Sequence, residues 1–417
     1  MAKDHTPRFR RVNWFAEGPL QPYVGAFTQY LTERGYAAST LGHCLGAIAH
    51  FAQWMHTRKL RVQRISEELV QQFLDEHLPQ CRCEAAMRID RRNASAALTH
   101  LLVVLRAQCI IAKTRVRTFP VDAELHRYGE FMEQVRGLSP KTRSMSLRIV
   151  GRLLRARFAD GKVDIAAIKP QHIRRFFAQQ AKLYGKPANT GVVVSALRSY
   201  FRYRASLGDA MHRLIGAVSY PANWQLASLP KSLTAEEIEQ LVRSLGKPGR
   251  SLRRADAIVR CALDLGLRSG EIARIGLDDI DWHAGTITLR HTKGRREDVL
   301  PLPASTGAAI AAYLEHERPK TLNRAVFVRH VAPRDKPVGA DLVRKTIRQA
   351  YARAGLSHTG AHLLRHTMAN RLLAGGASLK EVADVLRHRS LNTTLIYAKL
   401  DSRNLAAVAL PWPGRTL

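Results

Sequence analysis

Along most of this chain apolar residues recur three and four positions apart, the period of helices that bury one face, while strand-like alternation is confined to a short stretch. The pattern of the first half occurs twice. Phe27, Gly35, Ser39, Thr40, Ile65, Val70 and Phe73 return one domain length later as Phe131, Gly137, Lys141, Thr142, Ile168, Ile173 and Phe176. In each copy a Gly-hydrophobic-x-x-x-Thr turn opens a long amphipathic helix, and a short connection leads through an isoleucine to a second one. A last helix closes the unit, over 93–108 in the first copy and 189–205 in the second. The most apolar stretch, 94–112, is interrupted by His100 and Arg106, which fits an amphipathic helix rather than a membrane span. Between Pro221 and Pro230 the helical period is lost, and Thr234-Ala235-Glu236-Glu237 then forms a capping box ahead of Ile238, Leu241 and Val242.

The second half mixes periods. Leu265-Gly266-Leu267-Arg268-Ser269-Gly270-Glu271-Ile272 places an arginine at a glycine-flanked turn, with Ile272, Ile275 and Leu277 continuing as a helical pattern. Thr286 to Leu289 alternates as a strand, and Lys293-Gly294 turns the chain toward Val299-Leu300-Pro301-Leu302, which puts Lys293 at a hairpin tip. The last strongly patterned segments are His362-Leu363-Leu364-Arg365-His366, Leu386-Arg387-His388-Arg389-Ser390 and Asn392-Thr393-Thr394-Leu395-Ile396-Tyr397-Ala398. A short apolar tail, 405–410, follows. It suits packing either on its own domain or on a neighbouring protomer.

Charge narrows the partner. The 417 residues carry 66 Lys plus Arg against 34 Asp plus Glu, a formal net charge of +32, which favours a polyanion bound with steep salt dependence. With 46% hydrophobic residues the chain can bury cores and is not a disordered polycation. No apolar run of signal-peptide length follows the basic residues 1–11. The cysteines Cys44, Cys81, Cys83, Cys109 and Cys261 form neither a disulfide framework nor a Cys-x-x-Cys zinc pattern. These features predict a reduced, cytoplasmic protein.

Arg268, Lys293, His362, Arg365, His388 and Tyr397 together form a set suited to breaking a phosphodiester without a metal. Guanidiniums clamp nonbridging oxygens in a bidentate fork and do not titrate. Tyr397, a poor nucleophile as the neutral phenol, needs cations or a base, and His362 is placed to take its proton while sharing a helix face with Arg365. Lys293 on its hairpin suits protonation of the departing 5′ oxygen. His358, His362 and His366 also recur at metal-ligand spacing. Gly360 weakens the first helical turn there and no glutamate lies between the histidines, so no metal is expected and His366 reads as structural.

In these positions and their order the chain resembles the tyrosine recombinase (phage integrase) family over 230–400. The resemblance implies that Arg268 and Arg365 are the catalytic arginines, Lys293 the hairpin lysine, His362 and His388 the catalytic histidines, Tyr397 the nucleophile, and Glu271 the support of the first arginine. Arg387 departs from the glycine common before the second histidine. The implied fold is mainly α and multidomain: helical SAM-like core-binding domains, then a mixed α+β catalytic domain with a small β-sheet or hairpin. The expected layout is a basic segment 1–15, a first helical domain 16–118, a core-binding domain 119–220, a linker 221–231, a catalytic domain 232–402 and a tail 403–417. Arg174, Arg175, Lys182, Arg198 and Arg202, with Lys186 and Arg204 and with Tyr200, Phe201 and Tyr203 interleaved, are the expected DNA contacts. The resemblance implies a cofactor-free, site-specific recombinase of double-stranded DNA that forms a 3′-phosphotyrosyl intermediate in a homotetramer or mixed recombinase assembly. A type IB topoisomerase and a catalytically silent DNA-binding regulator are the alternatives.

Overall fold

The computed structural model describes residues 18–81, 90–112, 119–159, 161–184, 190–220, 230–245, 251–290, 297–388 and 394–399. Lys293, Lys186, the 221–229 stretch and the 405–410 tail lie outside the described residues. The chain divides into two compact units, one of residues 1–114 with 228–417, the other of 115–227.

In the first unit, residues 18–112 form a helical region: α1 (Val24–Glu33), α2 (Ala38–Thr57), α3 (Glu67–Gln72) and α4 (Arg91–Ala107). α2 and α4 pack on one another around Phe27, Phe51, Trp54, Phe73, Leu98 and Leu105. Ser66 and Asp90 cap α3 and α4 by accepting backbone N–H groups with their side chains, so each helix starts where its first donors find an oxygen. α3 runs on into a π-helical turn, Phe73–His77, and a 3-10 turn, Leu78–Gln80.

The second unit has the same element order: α5 (Pro120–Glu130), α6 (Pro140–Phe158), a 3-10 turn, α7 (Pro170–Tyr184) and α8 (Gly191–Ser206), then a short α9 (His212–Gly216). Gly35 and Gly137, which open the long helix of each copy, both have φ in the left-handed region, +72° and +55°. Tyr200, Phe201 and Tyr203 are buried in this unit's core, so they are not the exposed duplex contacts that the sequence pattern suggested. Tyr200 donates its hydroxyl to the buried carboxylate of Glu124, on which Arg127 and Arg204 also converge. Arg204 is thus consumed by an internal network. Arg198 donates to the Val218 carbonyl, while Arg174, Arg175, Lys182 and Arg202 are exposed.

Residues 230–399 of the first unit hold a further core. α11 (Leu252–Leu263) packs against α10 (Ala235–Leu245), α13 (Ala304–His316), α14 (Ala340–Arg353) and α15 (His362–Ala374). The Thr234 and Glu237 capping box forms at the start of α10. Against these helices lies an antiparallel sheet in the order β1 (Ile280–Asp281), β2 (Thr286–Leu289), β3 (Asp298–Pro301), with Ile287 facing Leu300 and Thr288 facing Val299. Ile287 and Leu289 of β2 point into the core, as the alternation requires. The chain is mostly helical with this one small sheet among the described residues. No described helix is long and apolar enough to cross a membrane.

One expected helix is shorter than its pattern. After Arg268 only one turn forms, α12 (Ser269–Ile272). The Ile275 carbonyl accepts from Val326 N–H, Leu277 N–H donates to Arg324, and Gly276 bridges Ala325. This backbone pairing with a distant segment competes with continuation of the helix. Ile272 and Ile275 are buried all the same.

Candidate active site

Arg365 organises the site. It sits on the first turn of α15 at 4% exposure and donates through Nη1 to the Gly266 carbonyl at 2.5 Å and through Nη2 to the Leu386 carbonyl. One guanidinium thus ties the turn that carries Arg268 to the turn that carries His388. Gly266 has φ +57°, and a Cβ there would lie 2.7 Å from Met368 Sδ and 3.0 Å from Leu386 Cδ2. Gly266→Ala is therefore expected to lower the unfolding free energy by about 2–4 kcal/mol, combining left-handed strain with overpacking. Thermal unfolding checks this, and a midpoint equal to wild type would show that the turn relaxes freely.

Arg268 is the N-cap residue of α12, and the third residue of that helix, Glu271, reaches back to it. Glu271 accepts from the Arg268 N–H at 2.8 Å, from Arg268 Nη1 at 2.7 Å and from Arg387 Nη2 at 3.0 Å. Burial would raise the carboxyl, but these donors outweigh it and hold Glu271 below the usual carboxylate range. Glu271 is thus an anion that fixes the Arg268 guanidinium in place.

Arg387, the departure from the family pattern, is accommodated. A helix α16 (Leu379–Val385) ends with Arg387 N–H on Asp384 and His388 N–H on Ala383, a Schellman closure that needs left-handed backbone at Arg387, φ +55°. Glycine fits that conformation without strain. Here an arginine takes it and places a second guanidinium, its side chain 6% exposed, on Glu271 beside that of Arg268.

The histidines are neutral groups. His388 Nδ1 is 2.8 Å from Thr394 Oγ1, and burial, then Arg365 and Arg268, push its pKa down to about 4. His362 is the first residue of α15 and is exposed; desolvation of its ring, then Arg365 and Arg268, lower its pKa too. Burial, then His362 and Arg365, do the same to His366. Burial, then Arg268 and Arg387, lower Arg365 to about 9, which leaves it a cation at neutral pH.

A depressed histidine pKa has a stability consequence. His388 binds its proton near pH 6.5 in the unfolded chain and near 4 in the folded one, so its contribution is intact above about 6.5 and is lost as pH falls toward 4. Wild type should lose more unfolding free energy across that window than His388→Asn, by at most on the order of 3 kcal/mol. Parallel pH profiles for the two proteins would refute the shift.

Tyr397 lies on a short helix, α17 (Leu395–Ala398), and is 1% exposed among Ala369, Val382 and Leu386. Its hydroxyl is 2.6 Å from His366 Nδ1. Burial raises the phenol pKa and Arg365 partly opposes this, so Tyr397 rests as the neutral phenol. The sequence pattern points to His362 as the proton acceptor and to His366 as structural, whereas the Tyr397 hydroxyl meets His366. The i, i+4 spacing from His362 could have flagged His366, but only the approach of α17 decides which ring Tyr397 meets. His358 lies before α15 and contacts Glu237 Oε1 at 2.9 Å, so the three histidines do not line one helix face. Arg268, His362, Arg365, His388 and Tyr397 are brought together. Lys293 falls outside the described residues, between β2 and β3.

The profile described as the phage integrase family matches residues 231–403. A Sinorhizobium fredii protein named as an integrase/recombinase, y4rA, is 34% identical over 404 residues, covering 95% of this chain and 96% of that protein. Tyrosine recombinase XerC of Azotobacter vinelandii is 30% identical over 244 residues, 58% of this chain and 80% of the relative. Among solved structures, the XerH site-specific recombinase bound to a palindromic difH substrate, a post-cleavage complex, superposes with a TM-score of 0.52 at 19% identity. That superposition covers 73% of this chain and 92% of the other and speaks for the fold.

Proposed function

The chain belongs to the phage integrase family of tyrosine recombinases, and from that premise we propose that it is a site-specific recombinase that cuts and rejoins double-stranded DNA through a 3′-phosphotyrosyl link to Tyr397. The observation that carries this reading is the buried Arg365, which fastens the Arg268 turn to the His388 turn while the next residue, His366, holds the Tyr397 hydroxyl.

In the proposed reaction Tyr397 Oη forms a bond to phosphorus as the bond to the 5′ oxygen breaks. The phenol proton passes to a neutral imidazole, and His366 Nδ1 is positioned to accept it when the ring carries its hydrogen on Nε2. Arg268 and Arg365 neutralise the nonbridging oxygens with N–H groups they do not spend on Glu271 or the two carbonyls. His388, its Nδ1 engaged by Thr394, offers Nε2 to the same phosphate. Lys293 gives its proton to the 5′ oxygen. A later attack by a free 5′ hydroxyl reverses these steps on a new partner, so no external energy source is needed.

Each protomer supplies one tyrosine and cuts one strand. Exchange between two duplexes requires four cuts and hence four protomers on DNA. Arg174, Arg175, Lys182 and Arg202 are proposed as phosphate contacts of the 119–220 region, with Arg198 positioned by Val218 at its edge. We assign catalysis to residues 232–402.

The test is covalent capture. Nicked duplexes with a randomised core are incubated with the protein, and DNA bound through denaturation is recovered and sequenced. A recurring sequence attached through its 3′ phosphate is the expected result. Recovery no greater than from protein-free controls would overturn the function.

A further inference from the structure

The chain has no Cys-x-x-Cys spacing, and His358, His362 and His366 do not line one helix face. The fold assembles a different donor set in the N-terminal region, far in sequence from the catalytic residues. His50, on α2 and 1% exposed, has Nε2 3.0 Å from His77 Nε2 and 3.3 Å from Cys81 Sγ, and the three ligand atoms lie within 4.8 Å of one another. From these contacts we propose that His50, His77 and Cys81 bind a structural zinc ion through two imidazole nitrogens and a thiolate.

Three observations support this assignment. A neutral imidazole Nε2 carries either one hydrogen or one lone pair, so it cannot make two good hydrogen bonds at once. Yet His50 Nε2 meets two partners, and both are metal-type donors. The spacing also fits, because zinc–nitrogen and zinc–sulfur bonds place tetrahedral neighbours about 3.3–3.6 Å apart. The two separations from His50 Nε2 lie a few tenths of an ångström below that, and the His77 and Cys81 donors lie within 4.8 Å of each other, so an ion would need only modest shifts of the donors. Finally, the backbone departs from regular helix where the donors converge. α3 widens into a π turn at Phe73–His77 and tightens into a 3-10 turn at Leu78–Gln80, which carries Cys81 back toward α2. A π turn of this kind is frequent at functional positions.

The surroundings suit a structural ion. Phe73 stacks on His77 and meets His50 edge-on, with Trp54 beside His77, so the donors are backed by aromatic rings. On binding, the Cys81 thiol releases its proton to solvent and no oxidation state changes. Three protein donors leave the fourth position to water or to another donor.

The experiment uses the full-length protein, tag removed, grown with zinc and dialysed against metal-free buffer. About one zinc per chain is expected by elemental analysis, and cobalt loading should give intense tetrahedral d–d bands with a thiolate charge-transfer band. His77→Gln and Cys81→Ser should lose the zinc. Cys81→Ser should also lose the charge-transfer band, and Cys109→Ser should keep both signals. Tyr397→Phe should hold the same zinc, so the result is independent of the recombinase reading. Wild-type protein with less than about a tenth of an equivalent and only a weak octahedral cobalt spectrum would overturn the site. Retention of zinc by both His77→Gln and Cys81→Ser would overturn it as well.

Discussion

Tyr397→Phe is expected to abolish covalent attachment to DNA while leaving the fold and DNA affinity close to wild type. The substitution removes one oxygen. The ring stays among Ala369, Val382 and Leu386, so the apolar contacts that seat α17 are unchanged. What is lost is the hydrogen bond to His366 Nδ1, worth about 1 kcal/mol, on a histidine that is itself only partly buried. The catalytic loss is of another order, because Tyr397 supplies the only phenol among the described residues of this cluster. Labelled nicked duplex run on a denaturing gel shows the covalent band, and a native gel measures affinity on the same samples. A covalent band of undiminished intensity from the Phe variant would show that Tyr397 is not the nucleophile.

The placement of most candidate site residues was legible because local pattern positions those residue types well. Arg268 follows a glycine turn, His362 and Arg365 share the first turn of a helix, and the 286–289 alternation is a strand. Features set by tertiary approach were not legible. The partner of Tyr397 depends on how α17 lies against α15, and a one-turn difference exchanges His362 for His366. Arg387 looks like a loop defect in the sequence because its role requires both its left-handed backbone and a carboxylate more than a hundred residues away. The aromatics of α8 look like stacking platforms between basic residues, but helix periodicity turns Tyr200, Phe201 and Tyr203 inward, where Glu124 satisfies the Tyr200 hydroxyl. The donors at His50, His77 and Cys81 have no sequence signature because π and 3-10 turns follow no simple period.

Lys293→Ala should depress cleavage of ordinary DNA by about 10²- to 10⁴-fold, the range of a lost general acid, and a substrate with sulfur in place of the bridging 5′ oxygen should restore most of that loss. A thiolate leaves without a proton, so the substitution in the DNA does the work that the ammonium would do. The comparison variant must lack a phosphate clamp without collapsing the site. Arg365 is unsuitable, since removing it would strand the Gly266 and Leu386 carbonyls in the interior. Arg268 is more exposed, and its partner Glu271 keeps the Arg387 guanidinium when Arg268 is gone. Arg268→Ala should lose about 10²- to 10³-fold in cleavage and regain little with the sulfur substrate, because its target is the nonbridging oxygens, which that substrate retains. Single-turnover rates for both variants on both substrates give the four numbers needed. Equal rescue of the two variants, or rescue of neither, would mean that Lys293 acts as another phosphate clamp and that the proton for the 5′ oxygen comes from a different residue.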